Sequence, residues 1–303
     1  ASGVCHSDTF TVVGGTGVNY PGIPGHEVVG KVVKTGPGAI AQTFAEGTIV
    51  GVGWHGSHCF TCESCTDGDF VNCEKATITG VSRPGGYQEY AVVEASALAR
   101  VPDGMDPTDA APLMCAGVTV FNGLRANISK AQPPALVAVV GIGGLGHVAI
   151  QYAAKFGYTV VAISRGTKKK AHAMELGATH YIDSTAENVA QALMALGGAK
   201  VVLCTATNAK SMGDCIDGLS RHGRLVVLGA STDDIPVSPL QLIVKSRAIV
   251  GHLTGSARDS QDAMEFAHKH GIKPSKVMFD GIEKAPDAYA AMRRGEYRVV
   301  IKL

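Results

Sequence analysis

Cys59, Cys62, Cys65 and Cys73 fall within fifteen residues of a 303-residue chain, and four thiolates at that spacing can close a tetrahedral shell around zinc. Such a shell leaves no open coordination position, so the metal would be structural, stapling a long loop. A disulfide pair or bare thiols are the alternatives that the spacing allows. A second motif, Gly141-Ile142-Gly143-Gly144-Leu145-Gly146, follows a short apolar run and opens an amphipathic one. Its glycines can turn tightly and admit a pyrophosphate to a helix N-terminus, which in this strand, turn and helix context reads as dinucleotide binding. Eighteen residues beyond Gly146 stands Ser164, near where an acid would bind an adenosine ribose 2'-hydroxyl. Without that acid nothing repels a 2'-phosphate, and Arg165 offers a planar fork to bind one. Lys168, Lys169 and Lys170 open a helix, where cations oppose the dipole unless an anion lies near. NADP(H) is therefore expected over NAD(H), with an ordinary solvated lysine face as the alternative.

Three further segments carry potential ligands: Gly3-Val4-Cys5-His6-Ser7-Asp8, Pro24-Gly25-His26-Glu27, and Pro112-Leu113-Met114-Cys115-Ala116-Gly117. Spacing does not join them. Isolated cysteines are usually core residues, and a histidine after Pro-Gly is more often part of a turn. Cys204 and Cys215 have no matching partners and read as small buried hydrophobes.

The elements that must position these residues are of two kinds. From Leu136 to Val250, short β-branched runs alternate with longer amphipathic ones, the pattern of a parallel sheet flanked by helices. Strands are expected at Leu136 to Gly141, Thr159 to Ser164, His180 to Asp183, Lys200 to Cys204, Arg224 to Gly229 and Ala248 to His252. Helices are expected at Leu145 to Phe156, Lys168 to Leu176, Ala186 to Leu196 and Ser211 to Ser220, with Gly157, Gly177 and Gly197 just past three of their ends. The first 115 residues read as a mostly β lobe, with strands at Val28 to Val33, Ile49 to Trp54 and Tyr87 to Val93. The tail reads as helices at Ser260 to Lys269 and Ala285 to Arg294, then a strand at Arg298 to Leu303 that returns to the first lobe. The expected class is α/β: a doubly wound Rossmann sheet over 118–253, a mostly β domain over 1–117, and a returning segment over 254–303.

With 27 basic and 26 acidic side chains, the chain has no excess charge to hold nucleic acid or an anionic membrane. Its longest stretch free of Asp, Glu, Lys and Arg, Ala131 to Ala154, is broken by Pro133, Pro134 and the glycine turn, so it is not expected to cross a membrane. No export signal is readable, and free thiol ligands fit a cytoplasmic protein.

Taken together, the Gly-Val-Cys-His-Ser-Asp and Gly-His-Glu motifs, the four-cysteine loop, Cys-Ala-Gly-Val-Thr, the glycine turn and the closing strand resemble the zinc-containing medium-chain alcohol dehydrogenases, especially the microbial and cinnamyl-type branches. The resemblance covers nearly the whole chain. It implies a GroES-like first domain and a second, catalytic zinc on Cys5, His26 and Cys115, so two zincs per chain in all. It implies hydride transfer between a primary alcohol or its aldehyde and NADP, with NAD possible, at a site between the lobes. Ser7 would accept the alcohol proton, Asp8 would orient the zinc-bound imidazole, and Glu27 would sit behind the metal. His6 and Arg298 would contact the pyrophosphate, Thr119 would lie beside the nicotinamide, and Trp54 would wall the substrate pocket. A homodimer or homotetramer joined near Ala248 to His252 is implied as well.

Two departures from the family pattern stand out. Where many relatives have a relay histidine this chain has Phe10, so proton release is expected through water or the ribose and activity at higher pH. Relatives also carry a further strand pair before the Cys5 motif, which leaves either a fragment or a weakened first lobe. A zinc-stapled NADPH-binding sensor or scaffold without turnover is the alternative function.

Overall fold

The computed structural model describes residues 1–15, 17–18, 20–38, 40–128, 132–295 and 297–303; Ala131, the first residue of the uncharged stretch, lies outside them. The chain forms two units, Ala1–Val118 with Thr254–Leu303, and Thr119–Leu253. Along the chain the first unit contributes β1 (Ser2–Val4), β2 (Glu27–Lys31), β3 (Ile49–Val52), β4 (His55–Ser57), β5 (Thr77–Ile78) and β6 (Ala99–Arg100). The second contributes β7 (Leu136–Val140), β8 (Thr159–Ser164), β9 (His180–Asp183), β10 (Ala199–Cys204), β11 (Leu219–Val227) and β12 (Ala248–Gly251). The returning segment adds β13 (Lys276–Asp280) and β14 (Arg298–Lys302).

In the first unit the main sheet runs β13-β14-β1-β2-β3-β6, and β4 pairs with β5 separately. β14 pairs antiparallel with β1, setting Ser2 opposite Ile301 and Val4 opposite Val299. Val4, Val299 and Ile301 are buried together with Ala288 and Ala291 of the helix Ala285–Arg293. Gly3 faces Glu27 across β1 and β2. A Cβ on Gly3 would stand 1.9 Å from Glu27 Oε2, so only glycine leaves room for that carboxylate.

The second unit is a six-stranded parallel sheet in the order β9-β8-β7-β10-β11-β12. β7 is buried along its whole length, which is why its sequence is an unbroken apolar run rather than an alternating one. Strand order reverses between β7 and β10, and the crevice at such a switch point is where doubly wound sheets take their ligands. The glycine turn emerges there, between β7 and the helix Gly146–Lys155. The α/β class expected from the sequence holds.

Several expected elements are corrected. No strand forms over Tyr87 to Val93: Tyr90 and Val92 are 74% and 90% exposed, and no described strand lies alongside them to complete a ladder. Instead Gly85, Gly86 and Tyr87 donate their backbone N–H groups to Ile23, Gly25 and Pro24. The helix expected from Ser211 to Ser220 is only Ala209–Gly213, followed by a 3₁₀ turn at Ile216–Gly218 and by β11 from Leu219. Gly213 and Gly218 approach Pro236 and Leu193 too closely for side chains, and glycine is a poor helix residue. Among the elements that had no sequence expectation are β1, β13, the helix Val118–Asn127 and a π-helical turn at Leu113–Gly117.

Candidate active site

The three scattered motifs meet in the first unit. Ligand atoms of Cys5, His26, Glu27 and Cys115 all lie within 4.8 Å of one another. The Cys5 and Cys115 sulfurs are 3.9 Å apart, close to the ~3.8 Å edge that two Zn–S bonds of 2.3 Å subtend in a tetrahedron. His26 is 1% exposed, and its Nε2 has no hydrogen-bond partner among the described residues. A buried imidazole nitrogen left unpaired is costly unless something binds it. Residue chemistry and geometry therefore both fit zinc.

Cys115 reaches the cluster on the π-helical turn Leu113–Gly117, a widened turn of the kind frequent at functional sites. Strand β3 and the residue after it admit this turn because Gly51 and Gly53 lack side chains. Cβ atoms there would lie 2.6 Å from Met114 Sδ and 2.3 Å from the Met114 carbonyl oxygen. An alanine at 53 must therefore displace the backbone one residue before Cys115.

Asp8 fixes the imidazole. Its Oδ1 lies 2.8 Å from His26 Nδ1, which turns Nε2 toward the two sulfurs' side of the cluster as a ligand-bearing histidine requires. Its Oδ2 accepts from the Cys5 backbone N–H at 2.8 Å and from the Tyr87 hydroxyl at 2.9 Å. Burial disfavours protonation of His26, but the charges of Asp8 and Cys5 outweigh it and hold the pKa well above the ordinary value. The contact with Cys115, helped by the His26 and Arg298 charges, holds the Cys5 thiol well below its usual range despite burial. That same contact, together with burial, pushes Cys115 up. Tyr87 is driven up by burial and by Asp8, so its hydroxyl keeps its proton and donates.

Glu27, 0% exposed, pairs with Arg298, 4% exposed. Burial raises the Glu27 carboxyl to about 7 even though Arg298 pulls it down. Burial opposes the Arg298 charge, yet Glu27, Cys5 and Cys115 together raise its pKa.

The second cluster brings the Cys59, Cys62, Cys65 and Cys73 sulfurs within 4.8 Å of one another. β4 and β5 pair at the base of this loop. Cys59 Sγ accepts from the backbone of Thr61 and Cys62 and from the Thr61 hydroxyl, and Cys73 Sγ from the backbone of Cys59 and Lys75. The Thr61 hydroxyl, followed by the backbone donors, lowers Cys59 to about 5, which favours the thiolate that zinc requires. Phe60, between the first two cysteines, is held at φ 64°, an uncommon conformation for a bulky side chain.

In the second unit, Gly141 adopts φ 87°, and a Cβ there would stand 2.9 Å from the backbone nitrogen of Ala206. At Gly146 it would stand 1.8 Å from the Gly141 carbonyl oxygen, while at Gly143 nothing lies within 4 Å. The turn is thus packed on its protein side and open where a pyrophosphate would approach. His147 Nδ1 and the Gly143 carbonyl are 2.8 Å apart, and the Thr205 hydroxyl donates to the Gly141 carbonyl at 2.7 Å. Ser164 ends β8 opposite Asp183, and Arg165 is exposed. The Lys169 ammonium donates to the Ile142 carbonyl at 2.7 Å, inside the turn itself.

The remaining predicted residues fall as follows. Ser7 is half-buried and His6 exposed within the turn His6–Asp8. Trp54 sets its ring edge-on to His26, centroids 5.0 Å apart. Thr119 is buried and donates to the Leu253 carbonyl at 3.4 Å. Phe10 is 51% exposed. Gly144 and Leu145 lie in the turn before the helix Gly146–Lys155. Sequence reading missed Tyr87, Gly3, Gly53 and Thr205; the Gly85-Gly86-Tyr87 run was the available signal for the first.

Residues 1–103 match the family model described as the alcohol dehydrogenase GroES-like domain, and residues 144–269 match that described as zinc-binding dehydrogenase. An alcohol dehydrogenase of Penicillium expansum is 42% identical over 298 residues, 98% of this chain and 86% of that one. A cinnamyl alcohol dehydrogenase of Sorghum bicolor superposes with a TM-score of 0.88 at 31% identity, covering 99% of this chain and 87% of that one. The CAD of Helicobacter pylori, solved with NADP(H), gives 0.84 at 27% identity, covering 99% and 87%. Among the described residues no helix is long and apolar enough to cross a membrane.

Proposed function

The chain belongs to the zinc-containing medium-chain alcohol dehydrogenase family, and from that premise we propose a zinc-dependent enzyme that interconverts primary alcohols and aldehydes with NADP(H) in preference to NAD(H). The observation that carries the zinc dependence is the convergence of Cys5, His26 and Cys115 around an unpaired, buried imidazole nitrogen. Zinc held by Cys5, His26 and Cys115 would supply Lewis-acid polarisation of the substrate oxygen, and a nicotinamide would supply the hydride chemistry. The chain's own residues do the positioning. Asp8 locks the His26 ring, Ser7 receives the alcohol proton, and Trp54, edge-on to His26, limits the space beside the site. Glu27 and Arg298 place a fixed charge pair behind the ligands.

For the cofactor, Ser164 carries no charge and Arg165 presents an exposed guanidinium to a 2'-phosphate. Lys169, being tied to Ile142, acts on the turn that holds the pyrophosphate. Arg165→Ala is expected to weaken NADPH binding by about tenfold, the worth of one charge-assisted hydrogen bond, and NADH binding much less. Equal losses, measured by fluorescence titration of both cofactors, would refute the assignment. The edge strand β12 is the expected contact of a homodimer or homotetramer, and the cytoplasm the expected compartment.

The reading as a whole is tested by counting zinc in the purified chain and following NADPH and NADH oxidation with benzaldehyde and with a short aliphatic aldehyde. Two zincs and faster NADPH-dependent turnover are expected. One zinc with bound cofactor and no turnover would instead identify a stapled, non-catalytic cofactor-binding protein.

A further inference from the structure

The segment that fails to become a strand does something else. Gly85, Gly86 and Tyr87 hydrogen-bond to Ile23, Gly25 and Pro24, the three residues that lead into His26. Tyr87 is thereby tied through its backbone to the loop that delivers a metal ligand. Its ring lies over Gly25, where φ is 101° and a Cβ would stand 2.5 Å from Tyr87 Cδ1. Its hydroxyl donates to Asp8 Oδ2 at 2.9 Å.

Asp8 is buried, at 2% exposure, and receives three donors. Oδ1 holds His26 Nδ1, while Oδ2 takes both the Cys5 backbone N–H and the Tyr87 hydroxyl. One carboxylate thus ties together the backbone of one candidate ligand, the ring of another and a tyrosine anchored to the intervening loop. Were the Tyr87 hydroxyl removed, the Cys5 N–H alone would fix Oδ2, and the carboxylate could swing about that single contact, carrying the His26 ring with it.

We propose that Tyr87 is a positioning residue for the catalytic metal: through Asp8 it sets the orientation of the His26 ring and so the tightness with which Cys5, His26 and Cys115 hold zinc. This rests on the zinc reading above. Partners that orient a ligand from behind typically matter by 10–100-fold in metal affinity or activity.

Tyr87→Phe keeps the ring on Gly25 and removes only the hydroxyl. In zinc-loaded enzyme challenged with a chromogenic chelator, release of the catalytic zinc is expected to quicken about tenfold or more, while zinc leaves Cys59, Cys62, Cys65 and Cys73 at the wild-type rate. In cobalt-substituted enzyme the visible ligand-field bands should shift, and kcat should fall with little change in the cofactor KM. Tyr87→Leu, lacking the ring as well, gives the purely structural comparison: a lower melting temperature. If Tyr87→Phe releases both zincs at wild-type rates with unchanged cobalt bands, the hydroxyl has no positioning role, whatever the melting temperature does. A wild-type chain that binds one zinc only, at the four-cysteine loop, overturns the zinc reading itself and this inference with it.

Discussion

Cys115→Ala is expected to leave one zinc per chain and to cut alcohol oxidation about a thousandfold or more, because Lewis-acid catalysis supplies several kcal/mol and each 1.36 kcal/mol is a factor of ten. The substitution removes a proposed ligand on a turn that close packing against Gly51 and Gly53 already fixes, so the fold around it has little reason to move. Cofactor binding, assigned to the other unit's glycine turn, should survive. Cys73→Ala is the matched comparison. It removes the other zinc and should lower the melting temperature, since the loop between β4 and β5 has few regular elements to hold it. Metal analysis with steady-state rates on both variants separates the two sites. Retention of two zincs and full turnover by Cys115→Ala would refute the assignment of Cys115 as a ligand.

How legible each site was from sequence depended on how local it is. The four cysteines of the loop lie within one short segment, so spacing alone brought them together, as did the run from Gly141 to Gly146. The boundaries of β8 were also readable, because a buried parallel strand is an apolar run bounded by turns. Cys5, His26 and Cys115 come from three distant segments. Their convergence depends on β1 pairing with β2 and on a π-helical turn pressing on β3, and periodicity carries neither. Tyr87 to Val93 shows the converse error. Its composition suits a strand, but a strand is defined by its neighbour, and the residues that bond Gly85 to Tyr87 sit in an irregular loop more than sixty positions earlier. Gly3 and Gly53 were silent for a related reason: each is required by an atom that only the folded chain brings near, Glu27 Oε2 and the Met114 carbonyl oxygen.

Arg298→Met should cost about 3–5 kcal/mol of stability, the usual penalty for stranding one member of a buried ion pair. Glu27 is fully buried and pairs with Arg298. A zinc held by Cys5, His26 and Cys115 would not replace that partner, because two thiolate ligands would together neutralise its two charges, and Asp8 adds a further negative group on the far side of His26. Removing the guanidinium therefore leaves the carboxylate either charged in an apolar interior or protonated against the pH of the medium. Trp54, the single tryptophan of the chain, lies in the first unit with its ring against His26, so its fluorescence reports unfolding of this unit alone. The denaturation midpoint of Arg298→Met followed at Trp54 should fall well below wild type, and adding Glu27→Gln should recover part of the loss because the stranded charge leaves with it. If the double variant is instead as unstable as the sum of the two single changes, Glu27 and Arg298 are not coupled, and the pair stabilises the site through packing rather than charge.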